Sequence, residues 1–248
     1  MLAEIMKSRI KAKIVCGLML LLLFCSAVVY AGEYQVNYAG ALKNFMRKGD
    51  ISAKFSLQSL EGKKGLYALG AFEGLKGEIQ IFNSVPSNSF VLDGKFASDT
   101  SYQKKASLLV YAQVDAWQEL QIPENISSHK LLESYISEIA VQRGINISEP
   151  FPFLIIGNAK LINWHVINWD KNDKIHTHRK HIESGINGSL ENTNVKILGF
   201  YSSKHKAIFT HHTTNMHMHF KTEANNIAGH IDKLEPGKGM LLKLPAIN

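Results

Sequence analysis

The sequence predicts an α+β fold with β-rich mixed sheets, and three observations carry that expectation. Many short apolar segments alternate with period two, one segment has a clear helical period, and long linkers are few. No low-complexity tract and no repeat of solenoid period interrupts them.

The first 31 of the 248 residues are set apart from the fold. Lys7, Arg9, Lys11 and Lys13 precede an apolar run from Leu18 to Val29, and Val29-Tyr30-Ala31 offers a small-x-small cleavage site. This pattern is a secretory signal peptide; an uncleaved N-terminal anchor is the alternative reading. Residues 32–248 are then expected to form one exported domain, in the periplasm or the medium, with no membrane association after the leader is removed. Cys16 and Cys25 both fall in the leader, so the remainder has neither disulfides nor thiolate chemistry. The whole chain carries +7; the leader holds four basic residues and one acidic, which leaves +4. That modest surplus, without a basic stripe, argues against a nucleic-acid partner.

Along residues 32–248, a helical stretch at 39–47 precedes an alternating one from Ile51 to Leu57. Leu66 to Phe72 and Glu78 to Phe82 read as strands, and a turn at Asp93-Gly94 joins Phe90-Val91-Leu92 to Lys95-Phe96-Ala97. Leu108 to Val114 is a further apolar strand. Leu131, Leu132, Tyr135, Ile136, Ile139 and Ala140 recur at helical spacing, with Ser127 or Ser128 as cap and Gly144 as stop. Strands follow at Phe153 to Ile156 and Lys160 to Ile167 around a turn at Gly157-Asn158. The polar segment 169–183 reads as an exposed loop, and Val195 to Tyr201 as another strand.

The chemistry concentrates at the end of the chain. Ten of eleven histidines lie between His165 and His230. His217-Met218-His219 and His230 fall in a predicted hairpin, with residues 215–222 as one strand and 227–234 as the other. If Thr222 pairs with Ile227, His219 faces His230 directly, and His217 shares the face of His219. Three imidazoles then meet and leave a coordination position open, as in catalytic zinc sites. Zinc is the default ion, although imidazole also suits copper, iron and nickel. Scattered surface or core histidines are the competing reading. A turn one residue longer would reverse the face.

Several segments resemble α-acetolactate decarboxylases. Residues 65–79 (GLYALGAFEGLKGEI) resemble the family's early G-x-G-T-F-x-x-L-D-G-E-L segment, and Lys196-Ile197-Leu198-Gly199-Phe200-Tyr201 its T-I-V-G-F-W strand. His217-Met218-His219-Phe220 and Ala228-Gly229-His230-Ile231-Asp232 resemble its H-L-H-F and G-G-H-V-x-D pair. The resemblance implies two related β-α-β motifs and a divalent-metal enzyme, usually zinc, that converts 2-acetolactate to acetoin and carbon dioxide. It assigns His217, His219 and His230 to the metal and Glu78 to proton handling beside it. On its own residues Glu78 reads rather as a solvated turn charge, and only its place in the family motif favours the site. A small keto acid is the implied partner, with homodimer assembly left open.

Three departures bear on the substrate. His165 stands where the family carries an arginine thought to meet the substrate carboxylate; it is a replacement contact, an extra metal ligand or a core histidine. Arg179 in the polar loop is a second candidate for that arginine. No residue matches the family's C-terminal acid, Asp232 and Glu235 included, and Lys76 replaces the aspartate of L-D-G-E. A zinc-dependent ester hydrolase, or a metal or small-acid binding protein without turnover, are therefore the alternatives to a decarboxylase.

Overall fold

Two antiparallel sheets pack face to face in the computed structural model, which describes residues 34–224 and 226–247. The expected leader lies outside the described residues. Sheet one holds β1 (Asn37–Ala39), β2 (Phe55–Ser56), β3 (Leu66–Phe72), β4 (Glu78–Phe82), β5 (Val85–Pro86), β6 (Asn88–Leu92), β7 (Lys95–Asp99) and β8 (Lys105–Gln113). Its main order is β1-β8-β3-β4-β6-β7. Helix α1 (Leu42–Lys48) follows β1.

Sheet two holds β9 (Trp117–Gln121), β10 (Phe151–Val166), β11 (Ile186–Tyr201), β12 (Met216–Thr222), β13 (Ala228–Glu235) and β14 (Leu241–Pro245). Its order is β11-β12-β13-β10-β14-β9, and a further pairing of β10 with β11 closes four strands into a ring. Helix α2 (His129–Gln142) lies between β9 and β10 in the chain, and α3 (His178–Glu183) between β10 and β11. The α+β class stands. Every named strand pair is antiparallel, a more uniform pairing than mixed sheets, because hairpins and short returns supply most connections.

Both faces of these sheets are covered. On β12, Met216, Met218 and Phe220 join a core with Phe153, Ile197 and Ile231, against which α2 lays Leu132, Ile136 and Ala140. Ser128 starts α2 by accepting the Leu131 N–H. Between the sheets, Leu69 and Val110 meet Leu198 and Phe200. The far face of sheet one is closed by Leu66, Ile79, Ile81 and Leu109. His217 and His219 therefore point away from the first core, toward sheet one.

Gly199 shows how tight this packing is. A Cβ there would lie 2.1 Å from the ring of buried Phe153 on the paired strand. Gly199→Ala is expected to cost about 1–3 kcal/mol of stability through overpacking. Denaturant unfolding reads this directly, and an unshifted midpoint contradicts it.

Three expected elements differ. Gly157-Asn158 is no turn: β10 runs through it, pairing Gly157 with Val195. The glycine is needed because its φ is +137° and Met240 packs 3.2 Å from where a Cβ would sit. Within the polar segment, Thr177 caps the short helix α3 by accepting the Lys180 N–H. Ile51 to Leu57 yields only the two-residue β2, after which Leu57–Leu60 turn into a 3₁₀ helix.

Candidate metal centre

Three adjacent strands of sheet two place histidines in one transverse row. His165 on β10 pairs with His230 on β13, which pairs with His219 on β12. The hairpin register is the one expected from Thr222 opposite Ile227, and the Thr222 N–H donates to the Ile227 carbonyl. His217 lies two residues from His219 on the same face. The three ring nitrogens of His217 (Nε2), His219 (Nε2) and His230 (Nδ1) form a triangle with sides of 3.1, 3.2 and 3.3 Å.

That triangle fits a metal. Two nitrogens on a tetrahedral zinc at roughly 2.0–2.1 Å lie roughly 3.3–3.4 Å apart. Burial holds all three imidazoles neutral: His217 falls to about 4, and His219 and His230 fall well below the usual histidine range. Their lone pairs are thus available. The tautomer of His219 is set by Gln80, whose amide nitrogen donates to Ser87 and Ser89 and whose Oε1 faces His219 Nδ1 at 3.0 Å. Nδ1 therefore carries the proton, and Nε2 presents a bare lone pair to its two neighbours. At most one proton fits inside the triangle, whereas a cation satisfies all three nitrogens at once. His217 Nδ1 is buried without a full hydrogen bond, and the Phe209 carbonyl is the group that favours a proton there.

Sheet one contributes Glu78 from β4. One carboxylate oxygen lies 3.8 Å from His219 Nε2 and the other 3.8 Å from His165 Nε2, which together bracket the group. The Ile167 N–H donates to it at 3.1 Å. Glu78 is buried rather than solvated, and burial pushes its carboxyl up to about 7 against the opposing charge of His165.

His165 is held by Asp232. Its Nδ1 donates to both carboxylate oxygens, at 2.9 and 3.0 Å. Burial works against a charge on His165, but the Asp232 hydrogen bond and the charges of Glu78 and Asp232 outweigh it and raise its basicity. The aim of Asp232 has a local cause. Asn163 pairs with Lys233 and Trp164 with Ile231, so Asp232 is the extra residue of a bulge in β13. His165, His230 and Asp232 form a second group whose atoms could approach one ion.

A cavity of about 990 Å³ opens onto this centre and is lined by Glu78, His165, His217, His230 and Asp232. Two weighed residues, Arg179 and Lys76, lie apart, as does His176 of the polar segment. Arg179 is exposed and paired with Glu183 at 2.7 Å, outside the cavity lining, so it does not stand in for a site arginine. Lys76 donates to Asn168 rather than approaching Glu78. His176 stacks on Trp169 and contacts His181. Gln80 and Asp232 were missed as site residues, although each shares a strand face with a named one (Glu78 and His230), a spacing of two that the sequence displays.

A histidine triad on an antiparallel sheet, with a buried carboxyl 3.8 Å from one of its nitrogens, defines an α+β protein with a group that could hold a metal ion. The chain belongs to the α-acetolactate decarboxylase family, whose model matches residues 34–244. Its fold is similar to the α-acetolactate decarboxylase of Bacillus subtilis strain 168 (TM-score 0.64, 15% identity, 85% of each chain covered). The acetolactate decarboxylase of Bacillus subtilis subspecies spizizenii gives a TM-score of 0.65 at 15% identity, covering 86% of this chain and 87% of that one. A Staphylococcus aureus protein of unknown function, similar to α-acetolactate decarboxylase, gives 0.63 at 13% identity, with 86% of each chain covered. No curated protein sequence matches. Among the described residues, no helix is long and apolar enough to cross a membrane.

Proposed function

We propose that this protein is a zinc-dependent carboxy-lyase that converts 2-acetolactate, or a similar 2-hydroxy-3-keto acid, to the hydroxyketone and carbon dioxide. The observation that carries the reading is Glu78, a carboxyl raised to about 7, set 3.8 Å from the nitrogen of His219 that faces the triad. His217, His219 and His230 would hold the ion. When bound, it supplies a Lewis acid that draws electrons toward the substrate's ketone and hydroxyl oxygens.

The chain's own groups then have defined tasks. The bond between the carboxylate carbon and the hydroxyl-bearing carbon breaks, its electron pair stays on the latter, and carbon dioxide leaves. Glu78 in its acid form delivers a proton to that carbon and recovers one from solvent. Burial raises the affinity of this carboxyl for protons, which suits it to the acid half of this exchange. The Ile167 N–H fixes Glu78 on one side, so the proton arrives at one face. Apolar walls such as Leu75, Leu108 and Phe209 limit water around it.

The direct experiment incubates purified protein with acetolactate and measures acetoin against the spontaneous background. Product that disappears with a chelator and returns with zinc supports the reading; none above background rejects it. Cleavage of simple aryl esters instead would turn the assignment to a hydrolase. Gln80→Leu should weaken metal binding about 10- to 100-fold, because the ring of His219 loses the acceptor that orients it. Chelator competition measures this, and unchanged affinity would remove Gln80 from the site. We also infer export, with residues 1–31 as the cleaved leader; N-terminal sequencing of the mature protein tests it.

A further inference from the structure

The charged groups along the cavity are not all paired. His165 is committed to Asp232 and Glu78. Glu133, on the α2 wall, is occupied by the Thr214 hydroxyl and by the backbone and side-chain N–H groups of Asn215. Lys43, Arg47 and Lys130 also line the cavity, and none of them ion-pairs among the described residues. They are exposed, whereas His217 and His219 are buried and His230 half-buried, so the cations form the rim and the triad the interior.

Two of these cations are placed at a cost. Lys43 and Arg47 stand four apart on α1, where like charges repel. Lys43 also occupies the first turn of α1, at the positive end of the helix dipole, with no acidic residue there to offset it. Arg47, in the last turn, suits that dipole, so the helix alone accounts for Arg47 but not for the pair. The α1 backbone is anchored, since the Leu42 and Lys43 N–H groups donate to the Ile208 and Ala207 carbonyls in the connection that precedes β12. The pair is thus held against the cavity on a fixed support.

We propose that Lys43 and Arg47 form the anion-recognition element at the mouth of this cavity and meet the carboxylate of an incoming small organic acid. The inference rests on the decarboxylase reading for the identity of that acid, and it adds the residues that select a charged substrate. Their charge raises the local concentration of anions at the entrance, and Arg47 can offer two parallel donors to one carboxylate.

The test uses the zinc-loaded protein and an unreactive pair of probes, 2-hydroxy-2-methylpropanoate and its uncharged amide, titrated by calorimetry. The bound ion favours the acid in every variant, so the informative quantity is the acid-to-amide affinity ratio. In the Lys43→Ala/Arg47→Ala double variant that ratio is expected to fall about tenfold, the product of two exposed charge contacts. Amide affinity and metal content should stay as in the parent. A ratio within twofold of the parent in the double variant overturns the proposal, as does a parent protein that does not prefer the acid. Failure of the decarboxylase reading looks different: no acetoin forms, while the probe ratio still responds to the double variant.

Discussion

His219→Ala is expected to strip the protein of its metal. Zinc content after purification should fall from about one ion per chain to below roughly a tenth, and turnover should drop by more than about 10³-fold. The size of the effect follows from position. His219 is fully buried, shares the triangle with His217 and His230, and has its tautomer fixed by Gln80. Removing it leaves two nitrogens and an unpaired buried amide oxygen, so the loss includes stability gained on metal binding. His178→Ala is the control. His178 lines the same cavity but is exposed, and its nearest acidic contact is Asp232 at 3.9 Å. It should keep the parent's metal content. Equal zinc in the two variants would refute the ligand assignment.

The hairpin that carries this prediction was legible because alternation is a local signal. Met216, Met218 and Phe220 against His217 and His219 define both faces of β12 without knowledge of any partner. Strands β3 and β4 were equally plain, bounded by Gly65 and Gly77. What sequence hides is the cause of a glycine and the identity of distant neighbours. Gly157 signals a backbone need, but a turn and a crossing by Met240 ask for the same residue. Asp232 becomes visible as a bulge only once β10 is known to be its partner. Arg47 and Lys43 are far from the histidines in the chain, and only the packing of α1 against residues 207–208 brings them to the cavity. Arg179, closer in sequence, went the other way because α3 gives it Glu183 and solvent instead.

Glu78→Gln separates proton delivery from metal binding. Glutamine keeps the shape and an oxygen that accepts the Ile167 N–H, so zinc content should remain at the parent's level. Turnover should fall about 10²- to 10⁴-fold, because the amide cannot donate and recover a proton at the required carbon. The same substitution has an opposite signature in stability. The folded carboxyl is raised to about 7 from an ordinary value of 4.5, with burial as the main cause. A group raised in this way binds protons more tightly when folded, so Glu78's own contribution to the stability of the metal-free parent should be lost as pH climbs from about 4.5 to 7 and stay lost above it. The glutamine variant carries no such ionisation. Metal-free Glu78→Gln should therefore melt at a higher temperature than the metal-free parent at pH 8, with the gap closing near pH 4.5. A variant that is less stable at both values, or that retains full turnover with zinc bound, would remove Glu78 from the proton-handling role and leave the triad without its acid.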